Sequence, residues 1–110
     1  MITCSVQSTG DASRVMVEDE GRPVGAVDVS DDGAVVQLRF GVDHGHLPVQ
    51  VRRLLVDTAF DLPVLKETRA VQATVPLGDV ELLTGLRRHC AHVETRAAGS
   101  TCLVDADVDP

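Results

Sequence analysis

The sequence predicts an α/β (α+β) domain with a mixed, mainly antiparallel sheet of about seven strands and two helices, in the order ββββ-α-β-α-ββ. Three observations carry this. Apolar and polar residues alternate through residues 2–42, with turn chemistry between the runs. After Val42 the period twice becomes helical and twice returns to alternation. The chain has 110 residues, 44% of them apolar and 25% charged, the proportions of one folded unit, so residues 1–110 are read as a single domain.

The elements follow in order. Ile2-Thr3-Cys4-Ser5-Val6 alternates as a half-buried strand, and Ser8-Thr9-Gly10-Asp11 breaks it. Arg14-Val15-Met16-Val17-Glu18 is the second strand, and Glu20-Gly21-Arg22-Pro23 turns it into Val24-Gly25-Ala26-Val27-Asp28-Val29. Asp32-Gly33 signals a further hairpin, because a type I′ turn needs positive φ at both central residues. Residues 34–42 then place Val36, Leu38, Phe40 and Val42 on one face, and Gly41 within that strand suggests a bulge or a close backbone approach.

Pro48 suits a first helical turn, and Val51, Leu54, Leu55, Ala59 and Leu62 recur at helical spacing until Pro63, which predicts a helix over 48–61. Residues 69–75 alternate again, with Val71, Ala73 and Val75 on one side, and Pro76-Leu77-Gly78 ends the strand. Asp79 caps the second helix, with Glu81 in its first turn and Arg87, Arg88 and His89 in its last, the order that the helix dipole favours. Its buried stripe is Leu82, Leu83, Leu86 and Cys90. Residues 93–97 and 101–108 form the last two strands around Ala98-Gly99-Ser100, and the aspartates from Asp105 onward make a solvated edge.

Strand-helix-strand units require parallel pairing with right-handed crossovers, so both helices cover one face of the sheet. The other face must then be unusually polar or packed against a second copy, and a homodimer is the expectation.

Ten basic against seventeen acidic residues leave a net charge of −7. That balance argues against nucleic-acid binding, whose affinity comes from neutralising phosphates, and the absence of Trp and Tyr removes most base-stacking surface. No apolar run reaches the roughly eighteen residues of a membrane span. The opening Met1-Ile2-Thr3-Cys4-Ser5-Val6 lacks the basic and apolar stretches of a secretory signal, so a cytoplasmic location is expected. Cys4, Cys90 and Cys102 are odd in number and outside any CxxC, and are read as small apolar residues rather than a disulfide or zinc framework.

Asp43-His44-Gly45-His46 offers two imidazoles and a carboxylate, and His89 and His92 a second pair, as a metal or proton-sharing set would require. The spacing matches no recognised site, so a polar loop and capping of a helix end are the expectation, with no metal. Arg52-Arg53 and Arg87-Arg88 either meet to hold an anion or lie on solvated helical faces. Glu18, Glu20 and Asp28 are read as surface charge rather than as a general base.

The element order, the hairpin Glu20-Gly21-Arg22-Pro23-Val24-Gly25, the strand over 36–42, the run Val51-Arg52-Arg53-Leu54-Leu55-Val56-Asp57-Thr58-Ala59 and the strand over 71–75 entering a helix resemble the C-terminal two-thirds of the GCN5-related N-acetyltransferase (GNAT) fold. The resemblance spans about residues 12–108. It implies transfer of an acyl group from a CoA thioester to an amine, with the CoA pyrophosphate on a glycine-rich helix start and the pantetheine arm between two parallel strands. Three departures oppose that activity. The expected glycine turn reads His44-Gly45-His46-Leu47-Pro48-Val49-Gln50-Val51-Arg52, where Val49 and Val51 crowd the phosphate position and Pro48 removes an amide. The chain has no tyrosine to protonate a leaving thiolate, and the family's first two helices are reduced to Gln7-Ser8-Thr9-Gly10-Asp11-Ala12.

The expectation is therefore a GNAT-like domain without acetyltransferase activity or catalytic residues, acting as a homodimeric binding or interaction module with no cofactor. The alternative is a minimal acyltransferase using acetyl-CoA or another acyl-CoA, with the acceptor site completed by a dimer partner. In that case Phe40, Val42, Arg52 and Arg53 bind the cofactor, in a cleft between residues 40–42 and 71–73.

Overall fold

A computed structural model of the chain describes residues 1–43, 47–67 and 70–109. In chain order the elements are β1 (Ile2–Thr9), β2 (Ala12–Asp19), β3 (Arg22–Asp31), β4 (Val36–Val42), α1 (Val49–Phe60), α2 (Pro63–Glu67), β5 (Ala70–Pro76), α3 (Val80–His89), β6 (Cys90–Ala98) and β7 (Thr101–Val108). Among the described residues the strands form one sheet in the spatial order β1-β2-β3-β4-β5-β7-β6, and only β4 and β5 are parallel. This is the mixed, mainly antiparallel seven-stranded sheet expected from the alternation. No helix among the described residues is long and apolar enough to cross a membrane.

The structure departs from expectation in six local features. Asp32-Gly33 is not a two-residue type I′ turn, since only Gly33 takes a positive φ, +94°, and the connection runs from Asp31 to Val36. The strand that carries Asp105 is not an edge: β7 lies between β5 and β6, with Asp105 opposite Gln72 on one side and Glu94 on the other. Pro63 opens a third helix rather than only ending the first, since a residue without an N–H loses nothing at the first helical position, and α2 buries Leu65. Cys90 is not on the α3 stripe: its φ of −132° and ψ of 154° are extended, and it starts β6. β1 runs on to Thr9, because Gly10 takes a φ of +57° and closes a tight turn that keeps Ser8 opposite Ser13 and Thr9 opposite Ala12. Gly41 makes no bulge: the β3–β4 register passes through it unbroken, and a Cβ there would meet nothing within 4 Å. The ladder irregularities lie instead at Val17/Glu18 and at Ala91/Glu94.

Alternation puts Val15, Val17, Val27, Val29, Val36, Leu38, Val71, Ala73, Val75, Cys102, Val104 and Ala106 on one face, all buried. Over them lie Val51, Leu55, Val56 and Ala59 of α1 and Leu82 and Leu86 of α3, so both long helices cover one side. Two glycines permit close approach. A Cβ on Gly85 would lie 3.0 Å from Val56 where α3 meets α1, and a Cβ on Gly25 would lie 2.8 Å from Leu55 Cδ1 where α1 meets the sheet.

The uncovered face is the polar one of the two alternatives. Adjacent strands align Arg14 with Asp28, Asp28 with Arg39, and Arg39 with Thr74, and the Arg14 Nη1 donates to both Asp28 oxygens at 2.8 and 3.0 Å. Gln37, Gln72 and Asp105 form the next row. Met16, Ala26 and Leu103 share this face, but among these polar rows they form no large apolar patch, so hydrophobic burial does not require a second copy on it.

Substituting Gly85→Leu, which forces a side chain into Val56, is expected to cost about 1–3 kcal/mol, and Gly25→Val a similar amount, read from urea-unfolding midpoints. Wild-type midpoints in both variants would show that the helix layer is not closely packed there.

Candidate functional site

The site originates in the way β4 and β5 part. They pair in parallel from Val36/Val71 to Arg39/Thr74 and then stop. Beyond that point β4 remains paired with β3 as far as Val42, opposite Gly25, while β5 remains paired with β7 as far as Pro76, opposite Thr101. Each strand follows its antiparallel neighbour, and a cleft of about 660 Å³ opens at their C-terminal ends, bounded by the starts of α1 and α3. Val42, Leu47, Pro48 and Val49 line one side and Pro76, Leu77 and Val80 the other. Val49, Leu77 and Val80 are 65%, 54% and 68% exposed, giving the cleft an apolar rim.

One ion pair joins the two helix starts beneath that rim. Arg52 Nε donates to the two Asp79 oxygens at 3.1 and 2.9 Å, and Asp79 Oδ1 also accepts the Leu82 N–H at 3.0 Å. Asp79 is thus the N-cap of α3 that its sequence context predicted, and in addition the partner of Arg52. The side chains are only 17% and 7% exposed, so water does little to weaken the pair.

At the start of α1, Pro48 occupies the cap position without a side-chain hydrogen bond, and Val51 N–H donates to its carbonyl at 3.1 Å. Val51 is fully buried in the core. The expected crowding by both valines is therefore corrected to Val49 alone, because residues two apart on a helix point to opposite sides. His44, Gly45 and His46 lie outside the described residues.

The four residues expected to contact a cofactor separate in space. Val42 and Arg52 line the cleft. Phe40 is 5% exposed and belongs to the core under the helices. Arg53 lies on a shallow groove between α1 and α3, with Thr84, Glu81 and Arg88, and pairs with Asp57 at 3.8 Å. Val71 and Ala73 sit in the closed part of the junction, opposite Val36 and Leu38, so the cleft opens against Pro76 and Leu77 rather than against residues 71–73. Of the two arginine pairs, Arg53 and Arg88 reach one groove with Asp57 between them, while Arg87 is exposed and does not line it.

Asp57 carried no signal beyond its spacing from Arg53, yet it gathers three partners. His89 Nε2 is 2.8 Å from its Oδ1, Arg88 and Arg53 approach at 3.8 Å, and the His89 ring stacks on Phe60 at 4.6 Å between centroids. This clamps the C-terminal end of α3 to α1. His92 instead meets Asp107 at 3.2 Å, so the two imidazoles serve separate acids. Among the described residues no three His, Cys, Asp or Glu side chains converge as a metal site would require. Asp28 is committed to Arg14, and Glu20 to the Met1 ammonium. All three cysteines are free thiols. Burial, and then the negative charges of Asp109 and Asp107, push the Cys90 thiol up to about 11, the opposite of what a nucleophile needs.

This is the GNAT fold. The acetyltransferase of the GNAT family from Streptococcus pneumoniae superposes on 93% of this chain and 70% of its own, with a TM-score of 0.65 and 15% identity. The PaiA N-acetyltransferase from Thermoplasma acidophilum, solved in complex with coenzyme A, matches 88% of this chain and 61% of its own, at a TM-score of 0.62 and 12% identity. The ribosomal-protein-alanine N-acetyltransferase from Brucella melitensis matches 87% and 67%, at 0.61 and 12%. At these identities the likeness establishes the architecture. No protein-family model matches the sequence, and the comparison with curated proteins finds no match.

Asp79→Ala removes a helix cap and strands a half-buried guanidinium, an expected loss of about 2–4 kcal/mol in chemical denaturation, whereas Asp79→Asn keeps the cap and loses about half as much. Equal losses would mean that the charge on Asp79 is idle. Because the folded Cys90 thiol titrates near 11 and its unfolded counterpart near 9.0, folded protein holds that proton longer. Stability should fall as pH rises from about 9 towards 11, and a Cys90→Ala variant should lack that component of the alkaline limb.

Proposed function

We propose that this chain is a homodimeric GNAT-fold binding or interaction module without acetyltransferase activity. The observation that carries the reading is the start of α1: a proline cap, Val49 projecting 65% exposed in front of it, and Arg52 committed to Asp79 rather than free for an anion. A diphosphate docks on a helix start through bare amides at close range, and a branched side chain there holds it off. The sequence supports the same reading, since it contains no tyrosine to protonate a thiolate. The retained cleft, with its rim of Val49, Leu77 and Val80, suits an extended, largely apolar group more than a charged one. The three free thiols fit a reducing, cytoplasmic setting, and the net charge of −7 disfavours nucleic acid as a partner.

One observation favours the alternative, a minimal CoA-dependent N-acyltransferase: the β4–β5 divergence is intact and leads into the cleft. A thermal melt with acetyl-CoA separates the two, because a ligand that binds only the folded state raises stability by RT ln(1 + [L]/Kd). The expected result is no shift with millimolar acetyl-CoA or CoA and no acetylated product from a panel of amines. Turnover at ordinary enzyme rates would refute the module reading. Val49→Gly, which clears the helix start, is expected to gain a CoA-dependent shift that the wild type lacks.

A further inference from the structure

We infer that the outer edge of β1 is a self-association surface, on which a second copy of this chain lays its own β1 antiparallel about a two-fold axis, joining the two sheets into one. The inference deepens the dimeric part of the proposed function and rests on it.

β1 pairs with β2 through eight consecutive residue pairs without a register shift, so it is straight from Ile2 to Thr9. Among the described residues nothing pairs with its other side. That side therefore presents a regular row of free N–H and C=O groups about 25 Å long, at the usual rise per residue. Soluble proteins guard such edges with lysine, proline, inward charge or a bulge. Ile2-Thr3-Cys4-Ser5-Val6-Gln7-Ser8-Thr9 has none of these.

The opposite edge of the same sheet is guarded. β6 carries a ladder irregularity between Ala91 and Glu94, places His92 at a φ of +55°, and bears the charges of Glu94 and Arg96. Protection on one edge and none on the other, within one chain, is what a specific pairing at β1 requires.

Charge leaves β1 as a place where a second copy meets no repulsion. The protein carries a net −7, so two copies repel each other over most of their surface. β1 has no ionisable side chain other than the Cys4 thiol, and a two-fold pairing there sets no like charges opposite one another. A register centred on Ser5 lays Val6 opposite Cys4 of the partner subunit, on the face that already packs against α1 through the Cys4–Thr58 contact, and covers Val6, which is 44% exposed. Main-chain bonds along one strand give a small interface, so the association is concentration-dependent.

The test is solution mass by sedimentation equilibrium in the analytical ultracentrifuge from micromolar to millimolar protein, on the wild type, Val6→Lys, Ser5→Lys and the control Thr95→Lys on the guarded edge. The expected result is a wild-type dimer at high concentration, an apparent Kd raised at least about tenfold by each β1 lysine, and no change with Thr95→Lys. Hydrogen exchange on the wild type gives a second readout free of any folding defect in the variants: β1 amides should become more protected as concentration rises. A monomer throughout the range overturns both this inference and the dimeric reading. A dimer with concentration-independent β1 exchange, or one that folded β1-lysine variants retain, overturns the inference alone and leaves the dimer to another surface.

Discussion

The short parallel junction between β4 and β5 is the constraint on which the rest of the architecture depends. Parallel neighbours cannot be joined by a tight turn, so the chain must leave the sheet, form α1 and return, and the handedness of that crossover decides which face α1 covers. The same junction is held from outside by two antiparallel ladders, β3 on β4 and β7 on β5, which run on after the parallel pairing has ended at Arg39 and Thr74. Once each strand follows its own antiparallel partner, a gap between them is unavoidable. The cleft is thus a consequence of sheet geometry and not of the side chains that line it.

What those side chains do is a separate matter, and here most of the polar groups serve the fold. Arg52 and Asp79 hold the two helix starts together, and Asp79 caps α3 with the same carboxylate. Asp57 gathers His89, Arg53 and Arg88 at the other end of the helix pair. A cation whose neighbour already neutralises it in a poorly hydrated place is costly to redirect toward a ligand. A fold shared with acetyltransferases therefore carries, at the mouth of its cleft, an arginine already held by an aspartate, and the fold by itself does not say what the cleft does.

The strands were legible because alternation has a period that few other structures share, and because Glu20 and Gly21 take the positive φ that a tight hairpin needs. The cap at Asp79 was legible for a similar reason: the need is local, and one side chain meets it. Phe40 was misplaced as a ligand contact because alternation gives a residue's face but not what covers that face. Val51 was counted both in the apolar stripe of α1 and beside the phosphate position, and the packing decides for the stripe, with Val51 inward and Val49 outside. Gly85 and Asp57 gave no usable signal, since their partners Val56 and His89 lie across a helix-helix contact.

The sequence by itself determined the seven strands and two long helices in their order, the apolar face of each strand, the cap of α3 and the absence of tyrosine, all of which depend on neighbours within a few residues or on composition. Tertiary structure alone decided where the parallel strands part, that polar side chains pair in rows across the uncovered face, and that Arg52 answers to Asp79. Each of these depends on distances between residues far apart in the chain, which no local pattern encodes.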